Sequence, residues 1–414
     1  MQKFKSLRFL LLVALLAIAI SPVAAQDDEA TVTVAPDDPI TIVVATDLTG
    51  PIAEFGLDIA QAVEVAVAEI NDAGGIDGHQ IELITEDDRC SGDEATTVAN
   101  RVVSNPQVVA VVGHICSGAT TAASDVYEEA RIPMMSPSAT AAGVTERGLD
   151  VVNRVAFRDD VQGVVDANYM YKVLGLTKIA VMHDNDTYGL GLAEVVRDTF
   201  TELGGEVVAF EGISVDDQDY RSVLTPLVTE SPEAIYFGGY VQQAVLLVPQ
   251  MQDVGLGDVI FFSDDGVYGE AFIEGAADAA EGAYASFAET PETDPERLEN
   301  FDSTYEEMFG VAPEDLGPFH YHAYDSAKMI LAAIEAVAEP QDDGSLVIDR
   351  EALVAAVRGT ADYDGLTGTL TCDDKGDCGA GYIAINTVED GAWVAVEVPE
   401  DLVAPEAMAT EAAQ

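Results

Sequence analysis

Strand-like apolar runs alternate with amphipathic helical stretches along most of this chain, and that alternation constrains the fold more tightly than any other feature. The runs fall at 40–45, 81–85, 108–112, 132–135, 178–182, 206–210, 234–237 and 259–262. The clearest helix spans 59–73: Ile59, Ala62, Val63, Ala66, Val67 and Ile70 repeat at threes and fours and mark one buried face, and Gly74-Gly75 stops it. Repeated βαβα units imply parallel, doubly wound α/β sheets with helices on both faces. There are more strands than one sheet comfortably holds. Roughly 390 residues follow the amino-terminal segment, too many for one compact core and enough for two lobes.

That amino-terminal segment, residues 1–25, reads as a signal peptide. Lys3, Lys5 and Arg8 precede an apolar run at 9–20, and Val23-Ala24-Ala25 offers a peptidase site before Gln26. The run is shorter than the roughly twenty apolar residues a membrane span needs. No cysteine follows it, which argues against a lipid anchor, and the mature chain is expected to be soluble, periplasmic or extracellular. Residues 26–39 are acidic and aperiodic and read as a disordered lead; 397–414 read as an acidic, frayed tail. With 75 acidic and 18 basic residues, the chain is repelled by nucleic acid and anionic membranes. In an oxidising compartment its four cysteines are expected in disulfides. Cys372 and Cys378 share an acidic turn that closes easily, which leaves Cys90 for Cys116 by elimination, although four cysteines allow three pairings.

In open parallel sheets ligands bind beyond the carboxyl ends of the strands, so the loops there carry the function. After 108–112 comes Gly113-His114-Ile115-Cys116-Ser117-Gly118-Ala119-Thr120. Ser117 is placed as a helix N-cap and Gly118 permits close backbone approach; such a helix start suits a carboxylate, or Ser117 simply caps its own helix. Ser136-Pro137-Ser138-Ala139-Thr140 is rich in hydroxyls and either lines a cleft or forms an ordinary turn. His183-Asp184-Asn185-Asp186-Thr187-Tyr188-Gly189 lacks the glycine and glutamate positions of a calcium loop. Gly238-Gly239-Tyr240 and Ser263-Asp264-Asp265-Gly266 place polar or aromatic side chains on loops loosened by glycine. No nucleophile elbow, phosphate loop or His-Glu-x-x-His is present, and His320 and His322 are weak evidence for a metal. The chain is therefore expected not to be an enzyme and to need no cofactor or metal.

Taken together and in this order, these loops resemble the leucine/isoleucine/valine-binding proteins of ABC importers. The most specific stretch is 113–140, supported by Leu48-Thr49-Gly50-Pro51, Ile70-Asn71-Asp72-Ala73-Gly74-Gly75, Thr145-Glu146-Arg147-Gly148, His183-Asp184 and Gly238-Gly239-Tyr240. The resemblance runs from about 40 to about 394. It implies a type I periplasmic-binding fold: two Rossmann-like lobes joined by three crossover segments, with 40–158 plus 287–365 in one lobe and 159–286 plus 366–396 in the other. It also matches Cys90 and Cys116 to the family's disulfide, while Cys372 and Cys378 lie outside the common pattern.

By the same resemblance, Ser117 and Thr140 hold a ligand carboxylate, and the Ser138–Ala139–Thr140 turn offers a carbonyl and a hydroxyl to the ammonium. Asp265 stands where the family commonly has glutamate, one methylene shorter, with Asp264 as its neighbour. Asp159 lies at the first crossover. Tyr188 and Tyr240 close from the second lobe, and Phe55 and Phe319 wall the side chain. The implied function is a monomeric ABC-importer binding protein that clamps a branched-chain amino acid and delivers it to a membrane permease. Urea, short amides or aromatic acids in the same fold, or sensing instead of transport, are the alternatives. A buried zwitterion needs both charges paired, whereas one methylene in an apolar pocket is worth only about 1–3 kcal/mol.

Overall fold

The computed structural model describes residues 31–215, 217–289, 294–379, 382–399 and 402. Its centre is two separate helix-flanked sheets. The first has five parallel strands in the order Ile81–Asp87, Ile40–Thr46, Val108–Gly113, Met134–Ser136, Val152–Arg154. Ile40–Thr46 and Val108–Gly113 are buried along their whole length, as central strands covered on both faces must be. The second sheet has seven strands. Glu206–Gly212, Lys178–His183, Ala234–Gly238, Ile260–Ser263 and Tyr284–Glu289 are parallel, and Tyr382–Glu389 and Ala392–Ala395 extend that edge antiparallel.

The chain passes between the sheets three times. It leaves the first after Val152–Arg154 and builds the second as far as Glu289. It then returns with helices Pro295–Phe309, His320–Val337 and Arg350–Arg358, of which His320–Val337 packs on Ala53–Asp72 and on the first sheet. Strands Tyr382–Glu389 and Ala392–Ala395 finally rejoin the second sheet. Strand Tyr284–Glu289 carries the second lobe past the expected boundary at 286, because its pairing with Tyr382–Glu389 continues to its last residue.

Three expectations change. Within the supposedly disordered lead, Thr31–Val34 is a strand paired antiparallel with Leu346–Asp349, and Val32 and Val34 are buried. In the supposed frayed tail, Leu402 is buried; most other tail residues and the signal segment lie outside the described residues. The first long helix begins at Ala53 rather than 59 and ends at Asp72. Its second turn carries a fully buried Asp58, paired with His320 and Tyr305, on the face where the apolar periodicity expects a hydrophobic residue. Cys90–Cys116 and Cys372–Cys378 are both disulfides. No described helix is long and apolar enough to cross a membrane.

Candidate functional site

The loops after the parallel strands meet in a cleft of about 310 Å³ between the two lobes. Phe55, Ser117, Ser138, Tyr188, Tyr240, Asp265 and Phe319 line it, together with Ile52, Ile115 and Gly266.

The first lobe builds one wall around His114. Its Nδ1 meets Asp88 at 2.5 Å and its Nε2 meets the Tyr127 hydroxyl at 3.0 Å, all three fully buried. The His114 carbonyl accepts from Thr120 Oγ1 and Ser136 Oγ, so one backbone oxygen ties the 113–120 loop to the 136–140 turn. Gly113, at φ 120°, lets this loop cross Ala45, whose carbonyl would lie 2.2 Å from a Cβ. Cys116 is held by its disulfide with Cys90, and His114 is a buried scaffold. Ser117 is the first residue of helix Ser117–Ala130, whose N-cap is Cys116. Its hydroxyl does not cap that helix but accepts from the Ala141 N–H at 3.2 Å. Ser138 Oγ donates to the Ile115 carbonyl at 2.9 Å.

Three of the expected contacts sit behind the lining. Ala139 has its N–H on Ser136 Oγ and its carbonyl on Arg154, so its backbone is engaged internally. The Asp159 N–H donates to the Thr140 carbonyl at 3.0 Å, bridging the first crossover to the turn. Thr140 Oγ1 and the Asp159 carboxylate are buried beside each other, and the Thr140 hydroxyl and the charge of Arg154 both favour the ionised Asp159 against the larger effect of burial. Arg154, fully buried, fixes the turn: its guanidinium donates to Ala139 O, Ala141 O and Thr145 Oγ1 and pairs with Asp377.

From the second lobe, Tyr188 donates to Asp265 Oδ1 at 2.7 Å, and its ring lies 5.1 Å from that of Tyr240. The two adjacent acids divide their work. Asp264 accepts from the Gly239 and Gly266 N–H groups, which makes it a scaffold joining two loops. Asp265 faces the cleft. Burial pushes the carboxyls of Asp159, Asp264 and Asp265 upward; the neighbouring charge of Asp265 adds to the shift of the other two. The cleft lining holds no Lys or Arg.

The sequence reading missed a polar network adjoining these acids. Gln162 Nε2 donates to Ser286 Oγ at 2.9 Å, and Asp166 Oδ2 accepts from Ser286 and Tyr236, each at 3.0 Å. Asp159, Gln162 and Asp166 share one face of helix Asp159–Asn168, and three polar residues at helical spacing are the signal that could have revealed it. The His183–Asp186 loop is occupied with its own backbone: Asp184 Oδ1 accepts from the Asp186 N–H, and Asn185 Nδ2 donates to the Ile213 carbonyl. No cluster of three or more metal-ligating side chains occurs among the described residues.

Two α/β lobes linked by three crossings, with opposed polar and aromatic walls around a small central cleft, define a ligand-clamping protein. The chain belongs to the periplasmic binding protein family, whose model matches residues 39–392. It is 35% identical over 341 residues to a leucine-, isoleucine-, valine-, threonine- and alanine-binding protein of Pseudomonas aeruginosa, covering 82% of this chain and 87% of the relative. It is 29% identical over 367 residues to the Leu/Ile/Val-binding protein of Escherichia coli, covering 89% and 92%. Among solved structures, the leucine-binding protein LivK of Thermotoga maritima superposes with a TM-score of 0.78 at 28% identity, over 89% of this chain and 99% of that one. LivJ of Streptococcus pneumoniae in complex with isoleucine gives 0.76 at 29% identity, over 87% and 99%. The solute-binding protein of R. palustris in complex with benzoate shares the fold with a TM-score of 0.74 at 19% identity, over 88% and 99%.

Proposed function

We propose that this chain is the exported, extracytoplasmic binding component of an ABC importer, and that its cleft takes a branched-chain or related α-amino acid and presents it to a membrane permease. The observation that carries this reading is a buried acid, Asp265, facing a cleft whose lining holds no cation. Asp265 faces the cleft and accepts from Tyr188, Asp159 lies behind it beside Thr140 and within the field of Arg154, and neither Lys nor Arg lines the cleft. Buried carboxylates need a positive partner, and a ligand ammonium supplies one. Across the cleft from Asp265, the Ser117 hydroxyl and the amino terminus of its helix, with Thr140 behind them, suit a carboxylate. Phe55, Phe319, Ile52 and Ile115 form an apolar end for an aliphatic side chain.

A benzoate-type ligand brings no ammonium and leaves Asp265 without a cation, and urea or an amide brings no charge for either wall. Contacts from both lobes exist together only in the closed form, so ligand favours closure. Calorimetry against leucine, isoleucine, valine, alanine, benzoate and urea tests the reading. Leucine-type amino acids should bind, and Asp265→Ala should weaken them by about 2–5 kcal/mol, the cost of stranding a buried charge. Binding of benzoate or urea but of no amino acid would end the amino-acid reading.

A further inference from the structure

A second, larger space of about 1220 Å³ lies beside the cleft. Phe319, a wall of the cleft, packs edge-on against Phe287 and His322, which line this groove, with ring centroids 5.1 and 5.6 Å away. The floor is aromatic. Tyr268 stacks on Phe287 at 5.3 Å and meets Trp393 at 5.4 Å, and the Trp393 indole N–H donates to the Gly269 carbonyl, which fixes the ring in place. The rim is acidic: Glu270 and Glu289 stand on the second-lobe side, Glu314 and Asp315 on the first-lobe side, and no Lys or Arg joins them.

Two imidazoles complete the lining, and they differ. His320 is engaged by the Gly317 carbonyl and by Asp58. His322 is 3% exposed, and its Nδ1 has no hydrogen-bond partner. Burial lowers its pKa to about 3, so it adds no positive charge. A buried polar atom left unpaired is costly unless something fills the space beside it. The neighbouring Asp58 pushes the His320 pKa up against burial, and that imidazolium is committed to Asp58; aromatic faces beside carboxylates, with no Lys or Arg in the lining, attract positively charged organic groups and repel anions.

We propose that this groove is a second ligand site, for an organic cation with an aromatic or apolar body lying on the Tyr268, Phe287 and Trp393 rings and its charge facing the carboxylate rim. Both lobes and Thr367 of the chain crossing line the groove. An occupant is therefore gripped best when the lobes are closed, and it raises amino-acid affinity by the same factor as the amino acid raises its own. That coupling rests on the amino-acid clamp proposed above; the site itself does not.

Trp393 is the only tryptophan of the chain, so its emission reports on the groove directly. The mature protein is titrated with phenyltrimethylammonium and, at matched ionic strength, with benzoate as the anion of similar shape. A saturable change with the cation and none with benzoate is expected. Glu270→Gln combined with Glu289→Gln should weaken it on the order of tenfold, as losing two exposed charges allows. Leucine heats measured by calorimetry on the same variant should remain. No saturable change with the cation, an equal response to benzoate, or an undiminished response in the double variant would overturn the site. A tryptophan response without any amino-acid binding upholds the groove and removes the clamp reading; amino-acid binding with a silent tryptophan does the reverse.

Discussion

Replacing Arg154 by Met keeps most of the buried aliphatic stem and removes the guanidinium. Four groups then lose their donor: the carbonyls of Ala139 and Ala141, the Thr145 hydroxyl and the Asp377 carboxylate. Asp377 keeps Arg158, whose Nη1 lies 2.9 Å from Oδ2, and Thr145 keeps its bond to Asp377, so neither is stranded. The Ala141 carbonyl keeps the Val144 N–H at 3.0 Å, so the buried Ala139 carbonyl is the one left orphaned, at about 1–3 kcal/mol. The expected total is about 3–5 kcal/mol, the range for breaking a buried ion pair from one side. Urea denaturation reads it as a shift of midpoint at constant slope. Because Arg154 holds the 139–141 turn against Ser117, leucine affinity should fall in the folded variant as well. Arg101→Ala, which removes an exposed pair with Glu86, is the control and should cost about 0–1 kcal/mol. A loss below about 1 kcal/mol for Arg154→Met, with affinity unchanged, would refute the view that this arginine organises the binding turn.

Three further outcomes follow from other parts of the molecule. Burial pushes the Asp184 carboxyl up to about 7; a raised folded-state value means stability is fully present below the ordinary carboxylate range and lost as pH rises through about 7. Asp184→Asn should flatten that dependence and be the more stable protein at pH 8, by thermal melting at several pH values, with an effect on the order of 4 kcal/mol at most. A Cβ on Gly118 would lie 3.0 Å from Asp186 Oδ1 across the cleft, so Gly118→Ala should hinder closure and weaken ligand binding while leaving the melting temperature of the ligand-free protein nearly unchanged. Removing Cys90–Cys116, which spans 26 residues, should destabilise by about 3–4 kcal/mol and reduce binding, because it anchors the Ser117 loop. Removing Cys372–Cys378, which spans 6, should cost only about 2 kcal/mol; equal losses in the two double-serine variants would count against the loop-length argument.

The eight strand runs and the helix ending at Gly74-Gly75 were legible because local periodicity records which face is buried, and burial is the main force shaping these elements. The strand ends placed Ser117, Ser138, Tyr188, Tyr240 and Asp265 on loops or helix starts that meet in one cleft, since parallel strands deliver their carboxyl ends to one side, while Phe55 and Phe319 came from the family resemblance alone. Local pattern failed where a partner distant in sequence decides. Thr31–Val34 is a strand only because Leu346–Asp349 lies beside it. Asp58 can be buried in a helix only because His320 and Tyr305 reach it from another segment.

The binding turn shows the same division. That Ser117 and Ser138 are hydroxyls near a helix start is written in the sequence. That Ser117 accepts from Ala141 instead of capping its helix, that Asp264 serves backbone amides while Asp265 faces the cleft, and that Arg154 engages Ala139 are settled by tertiary contacts. Hydrogen bonding depends on direction and on a few tenths of an ångström. Sequence determines which elements form and which residues they carry; only packing brings distant atoms to those distances and assigns each polar group its partner.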